Sequence, residues 1–225
     1  AVLGDPMAVE FVPTTGKTRF TALASGEVDM LSRTTTWTFS RDVDLKLDFH
    51  GVNYYDGQGF MVPKSLGVTS AKDLDGATVC IQVGTTTELN LADFFRVNGI
   101  TYEPVPTEKS SESRALYQAE ACDVYTTDAS GLASARSTFA DPSAHVILPE
   151  IVSKEPLGPV TRHGDNQWGD IVRWTLNALI SAEELGITKA NVADMAAAPT
   201  NNPEINRMMG TEGNLGEMLG LDADW

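Results

Sequence analysis

Three short polar runs stand where strand-like segments end, and their residue types are those that hold a small charged molecule. The first is Thr34, Thr35 and Thr36 with Arg41, after "VDMLS". The second is Gly84, Thr85, Thr86 and Thr87, after "TVCIQV". The third is Thr126, Thr127 and Asp128, after "CDVY". A glycine at such a turn lets backbone approach a ligand, and the amides of Thr85 and Thr86 then point at an anion from a helix start. Arg41 has the planar fork that grips a carboxylate through two parallel hydrogen bonds. Asp128 supplies the opposite charge, suited to an ammonium. A carboxylate clamp facing one acid is what a zwitterionic α-amino acid requires.

Each feature also has a purely structural explanation. Thr85 and Glu88 have the spacing of a capping box, which needs no ligand. Arg41 has Asp42 and Asp44 close by as surface partners. Asp128 stands where it can cap the helix beginning "ASGL". The pair Tyr54–Tyr55 is expected in core packing. The coincidence of three such clusters at three strand ends is what favours a site.

Those clusters need elements to position them, and the chain alternates helix and strand signals. "EFVP" (residues 10–13) reads as a short strand, "KTRFTALASG" as a helix stopped at Gly26, and "EVDMLS" as the next strand. A polar, irregular segment leads through Phe49 to "GVNYYDGQGFMVP". A second round follows: a short helix to Gly76, the strand "ATVCIQV", a helix to Gly99, the strand "TYEPVP", the helix "SSESRALYQAEA" and the strand "CDVYTTD". Strands separated by helices predict α/β units with parallel sheets. In "QWGDIVRWTLNALISAEELG", Trp168, Ile171, Val172, Thr175 and Leu179 share one helical face. Small helices broken by Pro and Gly make up the rest.

Composition excludes several classes. Acidic residues outnumber basic ones 31 to 16, a formal charge of −15, which argues against a nucleic-acid partner. With 42% hydrophobic residues the chain is a folded globule rather than an acidic disordered one. Cys80 and Cys122 lack the spacing of a metal site, so no metal and no cofactor are expected. They are two buried thiols or one disulfide between neighbouring strands, the latter favoured in an exported protein. The three histidines lie far apart, and no GxSxG, Walker A or GxGxxG motif occurs, so catalysis is not expected.

The phrases "RFTALASGEVDMLSRTTTWTFSRD", "YYDGQGFMVP", "DGATVCIQVGTTTELNLADFF", "CDVYTTDASGL" and "EPLGPV" together resemble the solute-binding proteins of general L-amino-acid ABC transporters, across nearly the whole chain. The resemblance implies the type II periplasmic-binding-protein fold: α/β, two lobes joined by two crossing segments, in the periplasm. Residues 1–60 and 161–225 would form the first lobe and 61–160 the second, with crossing segments near 57–64 and 154–162. It further implies that Thr34, Thr36 and Arg41 belong to the first-lobe carboxylate clamp. Thr85 and Thr86 match second-lobe donors, and Asp128 matches the acid that receives the α-amino group. The partners implied are an L-amino acid and the membrane subunits of an ABC transporter.

By the same resemblance, a strand and a helix of roughly 30 residues or more would precede Ala1, with "AVLG" as the end of that helix. The first lobe is then incomplete, and three explanations stand: a fragment of a longer protein, completion by another copy in a homo-oligomer, or a shifted strand. Alternatives to the receptor are a binding-incompetent, self-associating scaffold, or an enzyme derived from this fold.

Overall fold

The computed structural model describes residues 2–5, 7–223 and 225. In chain order, α1 (Arg19–Ser25) is followed by a single π-helical turn at Ser40–Asp44, β1 (Leu47–Phe49), β2 (Tyr54–Asp56) and β3 (Gln58–Pro63). Then come β4 (Ala77–Gln82), α2 (Thr86–Asn98), β5 (Tyr102–Thr107), α3 (Ser110–Gln118), β6 (Val124–Asp128) and α4 (Ala129–Ser137). The chain continues through β7 (His145–Ile147), β8 (Glu155–Leu157), β9 (Val160–Arg162) and the long α5 (Asn166–Glu184). It closes with α6 (Val192–Ala197), α7 (Pro203–Met208) and α8 (Leu215–Met218). The expected helix stops at Gly26 and Gly99 are both C-caps.

One part is a five-stranded sheet in the order β5-β4-β6-β3-β7. Its two faces follow from the two-residue period of a strand. Phe60, Val62, Val79, Ile81 and Val124 point to one side, against Leu91 and Phe95 of α2. Met61, Cys80 and Tyr125 point to the other, against Tyr117 of α3 and Leu132 and Ala135 of α4. Burial on both faces explains why "ATVCIQ" is nearly continuous in apolar residues. Cys80 and Cys122 form a disulfide with their Cα atoms 5.8 Å apart. Cys80 lies in β4, whereas Cys122 stands just ahead of β6 rather than within a strand.

The expected parallel pairing is present in part, within a sheet that as a whole is mixed. β4 runs parallel to β5 and β6, but β3 is antiparallel to β6 and β7. The reason is the route: β3 comes straight from the other part of the molecule, not from a helical crossover.

The second part is smaller. Leu23 of α1, Leu31, Leu47, Phe49 and Val160 form its core, with β1 paired antiparallel to β9. α5 lies beside it, its Trp168 Nε1 donating to the carbonyl of Asp29 at 3.1 Å. Two expected strands are absent here. Residues 10–13 carry no strand, and "EVDMLS" is reduced to one bridge, Leu31 to Val160. Alternation in these segments is strand-like, but among the described residues no ladder partner lies alongside the rest of either one. The apolar stripe of α5 accordingly borders an open hollow of about 880 Å³, together with Leu3, Met30 and Tyr54.

Two chain passes join the parts, and they pair with each other. β2 and β8 are antiparallel, Tyr54 opposite Leu157 and Asp56 opposite Glu155. Residues 35–37 add a third lane: Trp37 N–H donates to Pro156 O at 2.8 Å, and Thr36 bridges to Leu157. Tyr54 and Tyr55, expected in core packing, are exposed on this ribbon.

Candidate binding cleft between the two parts

The threonine run 34–36 is fixed from two sides. Gly158 N–H donates to Thr35 O at 3.2 Å from the returning chain. From α1, Arg19 Nη1 donates to Thr34 O at 2.9 Å and Thr35 Oγ1 at 3.3 Å. Arg41 Nη1 donates to Thr36 O at 2.8 Å. Both guanidinium groups lie over the Phe20 ring, at 4.6 Å for Arg19 and 4.9 Å for Arg41. Arg41 is therefore buried in this cluster and not spent on Asp42, which instead accepts from Trp37 Nε1 at 2.7 Å.

The second run begins α2. Thr85 caps the helix, its Oγ1 accepting from Glu88 N–H at 3.3 Å while donating to Gln82 O at 2.7 Å. Glu88 closes the loop one residue early, accepting from Gly84 N–H at 3.0 Å. Thr86 turns the other way. Its Oγ1 donates to Glu155 Oε2 at 2.9 Å and stands 3.5 Å from Thr36 Oγ1.

Glu155 is the unanticipated centre of the arrangement. It is 1% exposed, and its Oε2 accepts from Thr36 as well as Thr86. Its Oε1 accepts from Asn90 Nδ2 at 2.8 Å and Ser153 Oγ at 2.6 Å. Thr36 belongs to the smaller part, Thr86 and Asn90 to the large-sheet part, and Glu155 to the ribbon joining them. One carboxylate thus fastens all three. Its sequence signal was a single acid inside the otherwise apolar phrase "EPLGPV". Arg19 was also missed, although a charge beside Phe20 on the inward side of a short helix marks it in the same way.

Asp128 ends β6 opposite Gln58 and makes no capping bond to α4. Burial pushes its carboxyl up to about 6, and the neighbouring Asp56 and Glu155 push the same way, against the pull of Arg19 and Arg41. Burial also holds Arg19 down at about 9, with Arg41 and Arg33 adding to the effect. Arg41 is lowered to about 10, chiefly by burial, with Glu155 and Asp128 opposing.

The six residues singled out from sequence fall into adjacent groups. Thr36, Thr86 and Arg41 gather at Glu155, and Thr85 serves as the helix cap. Thr34 and Asp128 instead line a polar cavity of about 250 Å³ at the junction, shared with Arg33, Gln82 and Arg114. The larger hollow is apolar and offers no comparable set of charges. Among the described residues no cluster of acids, histidines or cysteines is placed to hold a metal.

Across the junction the backbones touch. At Gly84, φ is +72°, and a Cβ there would lie 2.9 Å from the Cα of Lys17. At Gly16 a Cβ would meet the carbonyl oxygen of Val83 at 2.9 Å. The loop ahead of α1 therefore rests on the loop ahead of α2.

The comparisons agree with this two-part design. Residues 2–191 match the model of bacterial extracellular solute-binding proteins, family 3. The whole chain is 66% identical to the glutamate/glutamine/aspartate/asparagine-binding protein BztA of Rhodobacter capsulatus and covers 66% of that protein. It is 58% identical to the general L-amino acid-binding periplasmic protein AapJ of Rhizobium johnstonii, again over 66% of its length. Among solved structures, a periplasmic binding protein of an ABC transporter from Brucella ovis, with glutathione bound, superimposes with a TM-score of 0.92 at 55% identity. That match covers all of this chain and 70% of the other. The chain thus spans about two thirds of the length of the curated relatives it matches. With this fold and these matches, the chain belongs to family 3 of the bacterial extracellular solute-binding proteins, with the α/β type II periplasmic-binding-protein fold.

Proposed function

We propose that the chain is the substrate-binding part of a periplasmic amino-acid ABC importer, capturing an L-amino acid between its two lobes. One observation carries this reading: Thr36 and Thr86, from opposite sides of the junction, meet beside Arg41, while Asp128 faces the adjoining cavity with no capping bond of its own. Arg41, Thr34 and Thr36 would hold the α-carboxylate together with the start of α2 at Thr85 and Thr86. Asp128 would receive the α-amino group. The ribbon of β2 and β8 would be the hinge between the two lobes, whose expected bounds at 60 and 161 shift slightly: residues 58–60 of β3 go with the five-stranded sheet and Val160 with the smaller core. The ligand touches both lobes only when they are together, so binding shifts the population toward the closed form, which the transporter's membrane subunits would recognise. No bond is made or broken.

Isothermal titration calorimetry with single L-amino acids, on protein unfolded and refolded to strip carried-over ligand, tests the reading. Heat saturating at one site per chain is expected, and a folded sample silent to every amino acid would overturn it. Gly16→Ala probes closure separately. The added methyl would press across the junction on Val83 O at 2.9 Å and on Thr85 Cγ2 at 3.0 Å, and the φ of Gly16 is not left-handed. Affinity should therefore fall about tenfold through loss of the closed form, while thermal stability stays within about 0.5 kcal/mol of the parent.

A second reading, a self-associating scaffold, is favoured by the open apolar hollow along α5. Sedimentation showing a concentration-dependent oligomer, with no response to amino acids, would sustain it.

A further inference from the structure

The cavity beside Asp128 has a second wall that the α-amino and α-carboxylate groups of a ligand leave unused. Arg33 reaches it from the segment ahead of the threonine run, and Arg114 from the middle of α3. The charged residues of the lining are these two arginines and Asp128, and Arg33 borders the larger apolar hollow as well. Arg33 is anchored by Nη1 donating to Thr14 O at 2.9 Å. Among the described residues neither arginine forms an ion pair, although the chain as a whole is strongly acidic. Burial depresses Arg33 with no carboxylate offsetting it, unlike Arg41, which Glu155 and Asp128 compensate.

Two partly buried guanidinium groups share this cavity with a single carboxylate, so one positive charge is left for an arriving anion to pair with. Water can fill the space, but it cannot supply the charge. The two arginines also come from opposite lobes, Arg33 from the smaller and Arg114 from the larger. An anion between them would pull the lobes together.

We propose that Arg33 and Arg114 form a distal anion subsite, which makes L-amino acids with a side-chain carboxylate the preferred ligands of this cleft. The proposal rests on the amino-acid-receptor reading and adds to it a basis for choice. A side-chain amide would fit the same space and accept hydrogen bonds from the same donors, but without the charge. A side-chain ammonium would be repelled. Tyr125 and Gln82, which also line the cavity, are neutral and do not alter this balance.

The test is calorimetry with L-glutamate, L-glutamine and L-lysine on the parent chain and on Arg114→Gln, Arg114→Lys and Arg33→Gln, each checked for an unchanged thermal melt. The parent should bind glutamate at least about tenfold more tightly than glutamine, as a charge-assisted pair exceeds a neutral one, and lysine should not bind measurably. Arg114→Gln should weaken glutamate by about tenfold to a hundredfold and glutamine by less than about threefold. Arg114→Lys should recover part of that loss, and Arg33→Gln should repeat the pattern of Arg114→Gln. Equal affinities for glutamate and glutamine in the parent, or equal losses of both in Arg114→Gln, would overturn the subsite while leaving the receptor reading intact. Absence of binding by all three amino acids would overturn the subsite, and absence with every other amino acid as well would remove the receptor reading with it.

Discussion

Asp128→Asn is expected to abolish amino-acid binding and, at neutral pH, to make the ligand-free protein more stable. The two effects share one cause. Asp128 is held in a desolvated place, next to Asp56 and Glu155, and under the proposed function it receives the ligand's ammonium there. Without a ligand its charge is a burden on the fold, as its rise from 3.8 to about 6 shows. Removing the charge should raise unfolding stability by about 1–2 kcal/mol, read by urea denaturation. Because the folded carboxyl holds its proton more tightly than the unfolded one, that burden is full above about pH 6 and fades as the pH falls toward 3.8. The gain in the variant should fade over the same range. Binding should fall at least about a hundredfold, the cost of leaving a desolvated ammonium unpaired. In the parent, affinity should be level above about pH 6 and drop about tenfold per pH unit below it, as protonation removes the acceptor. A variant that binds normally, or whose stability falls, would refute this assignment of Asp128.

The second large effect belongs to Glu155. Glu155→Ala would leave the hydroxyls of Thr36, Thr86 and Ser153 and the amide of Asn90 without their shared acceptor. It would also take from Arg19 and Arg41 one of the two carboxylates that act on them, leaving Asp128 as the other. Deleting one member of a buried, fully hydrogen-bonded charge cluster typically costs about 3–5 kcal/mol, and that is the loss expected in urea unfolding. Glu155→Gln keeps the shape and one acceptor oxygen, so about 1–2 kcal/mol is expected there. The Gln variant should also show a larger radius of gyration in ligand-free solution scattering, because the donors it releases lie on opposite lobes. A loss below about 1 kcal/mol for Glu155→Ala would mean that the carboxylate is not the fastening point described.

Much of the large lobe was legible because its elements are specified by neighbours in sequence. The apolar run of Ala77–Gln82, the cap at Thr85 and the stop at Gly99 are local facts, and each stands where the residues indicate. Even there the details needed structure: the side chain of Glu88 reaches Gly84 N–H rather than completing a box with Thr85. The smaller lobe was less legible. "EVDMLS" has strand-like alternation, but a strand exists only beside a partner, and partnership is a long-range matter. For the same reason Tyr54 and Tyr55 looked like core residues, though they face outward on a ribbon. Glu155 was hidden differently. One acid in a chain with 31 acidic residues carries no local mark of having four donors converge on it. The cluster at Thr34–Thr36, Arg41 and Asp128 was visible as residue types. Its division between a fastened group and an adjoining cavity was not.

The ribbon joining the lobes has a bearing on how such a molecule can vary. β2 ends at Asp56, β3 begins at Gln58, and Gln58 is the rung opposite Asp128. Within three consecutive residues the chain passes from the ribbon, the proposed hinge, to the ladder position of the acid that faces the cavity. Adding or removing one residue there turns the side chains of β3 to the opposite faces of the sheet. Affinity and the relative tilt of the lobes would then alter together, never singly. Surface loops far from the pivot are free of that coupling, so they are where length can drift without disturbing what the cleft senses.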